Sequence, residues 1–139
     1  MEQIIVVINA LTERKGVKTA LITTAGFRDV LEIARGNRPD LFNFAFHKPK
    51  PFVERYLRSE LTERTNYKGQ IEKPVDLSPL PDLVASLKRE GVEAIAIVFL
   101  HSYINPQNEQ IAAKRIRELW PEVSVLASHN VSREWREYE

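Results

Sequence analysis

With 139 residues and a formal net charge of +1, the chain is long enough for one domain and has no overall charge that attracts nucleic acid or an anionic membrane. The sequence has no cysteine, which excludes disulfides, thiolate catalysis and cysteine-ligated metal centres. Its longest apolar runs are far shorter than the roughly 18–20 residues of a membrane span, and its first residues lack the pattern of a signal peptide. We therefore expect a single cytoplasmic domain over residues 1–139, and its abrupt ends indicate a piece of a longer protein.

The first third of the chain predicts one strand and one amphipathic helix. Residues 4–8 are β-branched and favour a strand, but the residues after them favour a helix, so this segment stays open. Residues 18–23 predict a short buried strand, after which Thr23 or Thr24 is expected to cap a helix. The apolar side chains of that helix recur at helical spacing, and they are Phe27, Val30, Leu31 and Ala34. Gly36 is the expected end of the helix.

Residues 37–75 predict an excursion made of a loop and a hairpin. Two closely spaced prolines, Pro49 and Pro51, are incompatible with a regular helix. The phenylalanines before them alternate and predict a short extended segment with one aromatic face, made of Phe42, Phe44 and Phe46. Residues 56–73 then favour a β-hairpin whose tip is the turn at 66–69.

The last third predicts helix, strand, helix and strand in succession. The first helix follows Ser78 and Pro79, an N-cap and a first-turn proline. A nearly continuous apolar run over residues 94–100 predicts a strand buried on both faces of a sheet. A second helix, which begins at Asn105-Pro106, leads to a strand over residues 123–127.

This succession of elements is typical of a βαβ unit. Its two strands should be parallel, and its crossover should be right-handed. The fold class is therefore α/β, with a small mixed sheet, a βαβ crossover and the hairpin excursion. Residues 132–139 predict a charged helix surface.

The carboxyl end of the 94–100 strand is the first candidate for a site. Open α/β sheets bind ligands at the carboxyl ends of their parallel strands, and this strand continues into His101 and Ser102. No histidine of the chain has a second histidine or a carboxylate three or four residues further on, so no metal motif of the His-x-x-x-His type is present. A solitary histidine at a strand end is more often structural than catalytic, and both interpretations stay open.

The turn after the first strand is a second candidate. Its sequence, Thr23-Thr24-Ala25-Gly26, precedes a helix, so its hydroxyls and backbone amides are suited to an anion, although a plain helix cap is the more common use. Arg28, Arg35 and Arg38 follow as a small cationic cluster near Asp29 and Glu32, and most such clusters are solvated surfaces with weak ion pairs. The glycine-rich phosphate-binding motifs are absent from the sequence.

Several stretches together resemble the large ATP-dependent hydantoinase/5-oxoprolinase family, in particular the N-methylhydantoinase A-like subunit. TTAGFRDVLEI followed by NRPDL is a specific combination. The further matching stretches are residues 9–16, FLHSY at 99–103 with Asn105-Pro106, and REYE at 136–139. The order and spacing also match, over essentially the whole chain.

The resemblance implies part of an actin-like/ribonuclease H-like ATPase architecture and an activity that opens hydantoin-type or oxoproline-type rings with ATP and Mg²⁺. It also implies two kinds of partner, the remaining domains of the same polypeptide and a second hydantoinase-type subunit, with no nucleic acid and no membrane. The family's phosphate loop, of the Asp-Ile-Gly-Gly-Thr type, precedes everything in this chain, and Glu2-Gln3-Ile4-Ile5 stands where a His-Gly-Thr-Thr-type segment is expected. The isolated chain is therefore expected to bind no cofactor and to be inactive.

The resemblance assigns no individual roles, so the site residues remain candidates. His101 and Arg38 are candidates for catalysis, whereas Arg28, Asp29 and Ser102 are candidates for substrate binding or an interface; no residue is assigned to a metal. The alternative is a non-catalytic α/β binding or subunit-assembly module. In that case the aromatic face at residues 42–46 would dock a partner.

Overall fold

The protein is described by a computed structural model that covers residues 16–33 and 42–131. Its strands are β1 (Thr19–Thr24), β2 (Arg58–Leu61), β3 (Arg64–Thr65), β4 (Ile71–Lys73), β5 (Ala94–Val98) and β6 (Ser124–Ala127). Its helices are α1 (Val30–Ile33), α2 (Leu80–Arg89), α3 (Gln107–Leu119) and α4 (Ser128–Val131), with one turn of 3-10 helix at Arg55–Leu57. The predictions for residues 4–8 and 132–139 lie outside the described residues.

Four strands form the main sheet in the order β2-β1-β5-β6, and every neighbouring pair is parallel. The α/β class is confirmed. The one difference concerns the antiparallel pairing, which was expected to make the sheet mixed. It is confined to a separate two-stranded ribbon, β3-β4, so the main sheet is parallel throughout.

The hydrophobic core surrounds the two central strands. Ala20 and Ile22 of β1 and Ile95 and Ile97 of β5 are completely buried, as the apolar run at 94–100 predicts. The helices supply further core side chains, which are Leu80, Val84 and Leu87 from α2 and Ala112, Ala113 and Ile116 from α3. Each buried isoleucine stabilises the fold by about 1.5–3 kcal/mol relative to an exposed one.

The βαβ unit is confirmed as β5-α3-β6, with parallel strands. α3 begins at Gln107, one residue later than predicted, with Pro106 and not Asn105 in the N-cap position. Asn105 Oδ1 accepts the backbone N–H of Gln107 at 3.1 Å in the turn that leads into the helix. The predicted cap of α2 is wrong. Ser78 makes no side-chain capping bond to α2, and instead its own N–H donates to Asp76 Oδ1 at 2.9 Å in a turn before the helix.

The predicted hairpin arm at residues 58–64 is divided between two sheets. Its first half, β2, joins the main sheet parallel to β1, and only the two residues of β3 pair with β4. The sequence pattern indicated an extended segment, but the pattern of one strand does not determine which strand pairs with it. The turn at 66–69 is confirmed: Asn66 and Gln70 pair through their backbones, and Gly69 has a φ of 81°.

Two further local predictions differ from the structure. The helix expected from Thr24 begins only at Val30, because a turn with Gly26 at a φ of 90° comes first. The segment with Phe42 and Phe44 is a turn rather than an extended strand, since Asn43 Oδ1 accepts the backbone N–H of Ala45 at 3.0 Å. In both described ranges, no helix has the length and apolar character needed to cross a membrane.

Candidate functional site

The carboxyl edge of the main sheet collects most of the buried polar side chains. Because the four strands are parallel, their carboxyl ends lie along one edge, which is where open α/β sheets bind ligands. The buried polar residues at or just after strand ends, or in the first turn of α3, are Thr24, Glu63, Ser102, Asn108, Glu109 and His129. They form two hydrogen-bonded groups.

The first group is centred on Thr24, at the end of β1. Its hydroxyl donates to Glu63 Oε1 and accepts the backbone N–H of Leu100 at 3.1 Å. The second carboxylate oxygen of Glu63 accepts Asn108 Nδ2 at 2.8 Å. Burial raises the pKa of the Glu63 carboxyl, and the hydrogen bonds from Thr24 and Asn108 act in the opposite direction. This group connects the exits of β1, β2 and β5.

The second group is centred on Glu109, in the first turn of α3. Its carboxylate accepts the backbone N–H groups of Phe99 at 3.0 Å and His129 at 3.1 Å. It also accepts the Ser128 hydroxyl at 2.6 Å and lies 2.5 Å from His129 Nδ1. One buried carboxylate therefore accepts backbone N–H groups that follow both β5 and β6, which fixes the exit of β5 in place.

The predicted residues His101 and Ser102 follow β5 at this edge. Ser102 is buried, and its hydroxyl lies 3.0 Å from the Ser128 hydroxyl. His101 is partly buried, has a φ of 60°, and places Nδ1 3.4 Å from the Tyr103 hydroxyl. Burial lowers the pKa of His101, and the nearby Arg64 charge lowers it further, so its imidazole is neutral at neutral pH.

The predicted residues Arg28 and Asp29 follow β1 and lie in an ion-pair cluster. Asp29 accepts Arg55 Nε at 2.9 Å, and its pKa is lowered by this hydrogen bond first and by neighbouring arginine charges as well. Arg28 donates Nη2 to the backbone oxygen of Arg55 at 2.9 Å, while its Nε is buried and has no hydrogen-bond partner within the described ranges. Beside them lies an open depression of about 500 Å³, lined by Asp29, Glu32, Ile33, Lys48 and Arg55.

The turn after β1, which was predicted as a possible anion site, binds a carboxylate of the chain itself. Glu60 Oε1 accepts the backbone N–H groups of Gly26 at 3.2 Å and Arg28 at 3.0 Å. The amides that were candidates for a phosphate are thus occupied by a carboxylate from β2.

The predicted helix cap is wrong, because Thr24 donates its hydroxyl to Glu63 and Thr23 donates its hydroxyl to the Ser59 carbonyl. Of the plain alternative only the tight turn is present, in which the Phe27 N–H donates to the Thr24 carbonyl at 3.0 Å.

The structure therefore brings His101 and Ser102 together at the end of β5, and Arg28 and Asp29 together after the neighbouring strand β1. Arg38 lies outside the described residues. Sequence reasoning missed Glu63 and Glu109. Glu63 lies just after a strand end, which could have indicated a site residue, but the segment was interpreted as one continuous hairpin arm. Glu109 lies in the first turn of a helix, where acidic residues are common, so its position gave no such indication.

The described residues do not fit a bound Mg²⁺·ATP. In residues 16–33 and 42–131, no group of three or more histidine or carboxylate side chains is arranged to hold a metal ion. The turn amides suited to a phosphate already bind Glu60.

Comparison with known proteins decides the family. Residues 5–120 match the sequence profile of the hydantoinase/oxoprolinase N-terminal region. The chain belongs to the hydantoinase/oxoprolinase family. It is 42% identical to an uncharacterised protein of Methanocaldococcus jannaschii over 122 residues, which are 88% of this chain and 18% of that protein. The resemblance carried by TTAGFRDVLEI and NRPDL is thus confirmed.

The relatives with named activities include a caprolactamase and a 5-oxoprolinase. The alpha subunit of the caprolactamase of Pseudomonas jessenii is 33% identical over 135 residues, which are 96% of this chain and 19% of that subunit. 5-Oxoprolinase 1 of Arabidopsis thaliana is 33% identical over 130 residues, which are 80% of this chain and 10% of that enzyme. The chain therefore spans a fifth or less of the length of these relatives.

A solved structure confirms the family fold. The crystal structure of the ATP-dependent caprolactamase from Pseudomonas jessenii superposes with a TM-score of 0.87 at 33% identity, and it covers 96% of this chain and 20% of the caprolactamase chain. The α/β architecture around the carboxyl edge is thus a hydantoinase/oxoprolinase architecture.

Proposed function

We propose that this chain is one part of an ATP-dependent cyclic-amide hydrolase and that it supplies a wall of the substrate site without catalysing turnover alone. The observation that carries the proposal is the buried hydrogen-bonded edge around Thr24 and Glu109, which fixes the exits of the four parallel strands. Family membership supports the reaction class, since named relatives are a caprolactamase and a 5-oxoprolinase. ATP and Mg²⁺ are then bound by other parts of the whole protein.

The role proposed for this chain is positioning. His101 and Ser102 lie at the exit of β5, and His101 offers a neutral imidazole that is suited to hydrogen-bonding a ring amide or exchanging a proton with it. Arg28 and Asp29 follow the neighbouring strand β1, and Arg38 stays a candidate catalytic residue in this proposal. An unstrained amide is a poor electrophile, so exact placement of its carbonyl matters for turnover.

A chimera tests this function directly. The segment of the caprolactamase alpha subunit that aligns with this chain is replaced by residues 1–139, and ATP-dependent ring opening of caprolactam is measured with the complete enzyme. We expect measurable ring opening that requires ATP. A chimera that is folded and fully assembled but inactive would count against the proposal.

The same chimera tests the proposed residues. His101→Ala and Arg38→Ala should each lower turnover by at least about tenfold without unfolding the protein. Arg89→Ala, on the exposed face of α2, is the control and should leave turnover unchanged. If both site variants turn over as fast as the control, these positions are structural.

We also propose that the whole protein acts with a second hydantoinase-type subunit. The support is that the caprolactamase relative is named as an alpha subunit. Phe44 is 92% exposed in the turn before the prolines and provides apolar surface for such a contact. Co-purification of a tagged caprolactamase chimera with the other caprolactamase subunit checks this, and Phe44→Ser should weaken recovery of that subunit.

A further inference from the structure

The loop after β5 holds His101 in a backbone conformation that a side chain disfavours. His101 has a φ of 60°, in the left-handed region that favours glycine, and within residues 16–33 and 42–131 it is the one non-glycine residue with a positive φ. Its carbonyl accepts the backbone N–H groups of Ile104 at 3.1 Å and Asn105 at 3.2 Å. A strained conformation persists only where surrounding contacts fix it, and such residues cluster at ligand sites.

The tip of the β3-β4 ribbon supplies contacts of this kind. Asn105 Nδ2 donates to the carbonyl of Gly69 at 2.9 Å. Gly69 also lies so close to Ile104 that a Cβ added to it would come within 2.6 Å of Ile104 Cγ2. The tip turn is closed by the Gly69 N–H, which donates to the Asn66 carbonyl at 2.9 Å. Because a two-stranded ribbon is only marginally stable by itself, this contact holds the ribbon and the loop in one fixed arrangement.

The imidazole ring of His101 has a contact of its own, with Tyr103. Nδ1 lies 3.4 Å from the Tyr103 hydroxyl, and the two ring centres are 5.9 Å apart with the ring planes at 59°. A phenol O–H is a better donor than a neutral imidazole N–H, so the hydroxyl donates and Nδ1 accepts. The hydrogen bond made by one ring nitrogen decides which nitrogen carries the proton. The proton is therefore on Nε2, which has no hydrogen-bond partner among the described residues.

We propose that Tyr103 and the ribbon tip at Gly69 are positioning elements that hold His101 as an Nε2–H donor to the carbonyl oxygen of the ring amide. The inference rests on the proposed function for the identity of this ligand. When a nucleophile adds to an amide carbon, negative charge develops on the carbonyl oxygen, and a fixed N–H donor stabilises that charge. In this role His101 donates a hydrogen bond and removes no proton, which distinguishes it from a general base.

Nitrogen NMR of the 139-residue chain, labelled at histidine, tests the tautomer without ATP or substrate. At about pH 8 the ring is neutral, and its nitrogen shifts distinguish the Nε2–H form from the Nδ1–H form. The spectrum of His101→Gln assigns the His101 signals. We expect a larger Nε2–H fraction than in the same chain unfolded in concentrated urea. Tyr103→Phe should shift the ratio of the two forms about three- to tenfold towards the unfolded value, the effect of one neutral hydrogen bond. Tyr56→Phe removes an exposed phenol and should match the wild type.

Two variants test the contact with the ribbon tip. Asn105→Asp keeps the oxygen that accepts a backbone N–H at the start of α3 but loses the Nδ2 donor to Gly69. Gly69→Ala forces Ile104 aside. Each should shift the His101 ring signals. Gly91→Ala is the matched control for Gly69→Ala, because Gly91 has a similar φ of 74° but its added Cβ would meet no heavy atom of the described residues within 4 Å. If Gly69→Ala proves unfolded, Asn105→Asp decides.

In the caprolactamase chimera, Tyr103→Phe and Asn105→Asp should each lower kcat about three- to tenfold and change KM by less than about twofold, since the donor acts in the transition state. A dominant Nδ1–H form of His101, or the same tautomer ratio in the wild type and Tyr103→Phe, overturns the inference.

Failure here is distinguishable from failure of the proposed function. An active chimera whose isolated segment has the Nδ1–H form refutes the positioning role alone. An inactive, folded chimera whose segment has the Nε2–H form, with the expected response to Tyr103→Phe, refutes the hydrolase assignment and leaves the positioning of the ring established.

Discussion

Thr24 and Glu63 are hydrogen-bonded to each other in the protein interior although 39 residues separate them in the chain. The Thr24 hydroxyl donates to the Glu63 carboxylate and at the same time accepts the backbone N–H of Leu100 at 3.1 Å. Both threonine and glutamate are almost fully buried. Loss of this hydroxyl therefore leaves two buried groups without their partner, and such groups are costly.

Thr24→Val should lower the free energy of unfolding by about 2–4 kcal/mol, because valine keeps the shape of threonine but satisfies neither the Glu63 carboxylate nor the Leu100 N–H. Urea denaturation followed by circular dichroism measures the change. Thr62→Val is the matched control: Thr62 is exposed, and the same exchange there should alter stability by less than about 0.5 kcal/mol. Equal stability of the two variants would contradict the role given to Thr24.

The stability of the protein should depend on the ionisation of Glu63. Burial raises the pKa of this carboxyl, so the folded protein binds the proton more tightly than the unfolded chain does. The stabilising contribution of Glu63 is then complete at pH values below the pKa of the unfolded chain and is lost as the pH rises through the folded-state pKa. Glu63→Gln, which does not ionise, should gain stability relative to the wild type as the pH rises from about 4 to about 8.

Urea denaturation of wild type and Glu63→Gln at several pH values gives the difference in unfolding free energy, and its slope with pH is the quantity to compare. Glu122→Gln serves as the control because Glu122 is exposed at the end of the α3-β6 connection. Its difference from the wild type should change little with pH. A flat or reversed slope for Glu63→Gln would show that burial does not dominate this carboxyl.

Two arginines on the same carboxylate should differ sharply in their effect on stability. Arg58 lies 3.8 Å from Asp29, is almost completely buried, and donates to the Val53 carbonyl at 2.9 Å. Arg55 donates to Asp29 at 2.9 Å but is well exposed. Arg58→Met should lower the free energy of unfolding by about 1–3 kcal/mol, since the hydrogen bonds of this buried guanidinium to the Val53 carbonyl and to Glu32 at 3.1 Å are both lost.

Arg55→Met is the matched comparison and should leave the free energy of unfolding close to that of the wild type, because water screens exposed ion pairs. Chemical denaturation of both variants under one set of conditions is sufficient. Added salt should change the difference between wild type and Arg55→Met more than it changes that for Arg58→Met. Equal losses in both variants would indicate that the ion pair, and not burial, determines the contribution of Arg58.

Much of the fold was predictable because it depends on short-range patterns. The apolar run at 94–100 predicted the central strand β5, and Asn105-Pro106 predicted the start of α3 to within one residue. The candidates His101 and Ser102 followed from the same run, since the residues after a buried parallel strand lie at the binding edge of a sheet. Local composition and spacing carry this kind of information directly.

Predictions that depended on a residue far away in the sequence were less accurate. The strand pattern of residues 58–61 was visible, but its pairing with β1 and not with a hairpin arm depends on residues 37 positions away in the sequence. The turn at Thr24-Gly26 offered amides suited to an anion, and it is Glu60, on another strand, that occupies them. In neither case do the residues of one element indicate which distant residue pairs with them.

The sequence by itself determined the family, the α/β class and the position of β5 with its polar exit, because motifs and apolar periodicity are properties of neighbouring residues. Only the tertiary structure decided that Thr24 joins Glu63 to the end of β5 and that Glu109 joins β5 to β6. The physical reason is burial: a carboxylate or hydroxyl withdrawn from water must find its partners wherever the fold brings them, and those partners lie far apart in the chain.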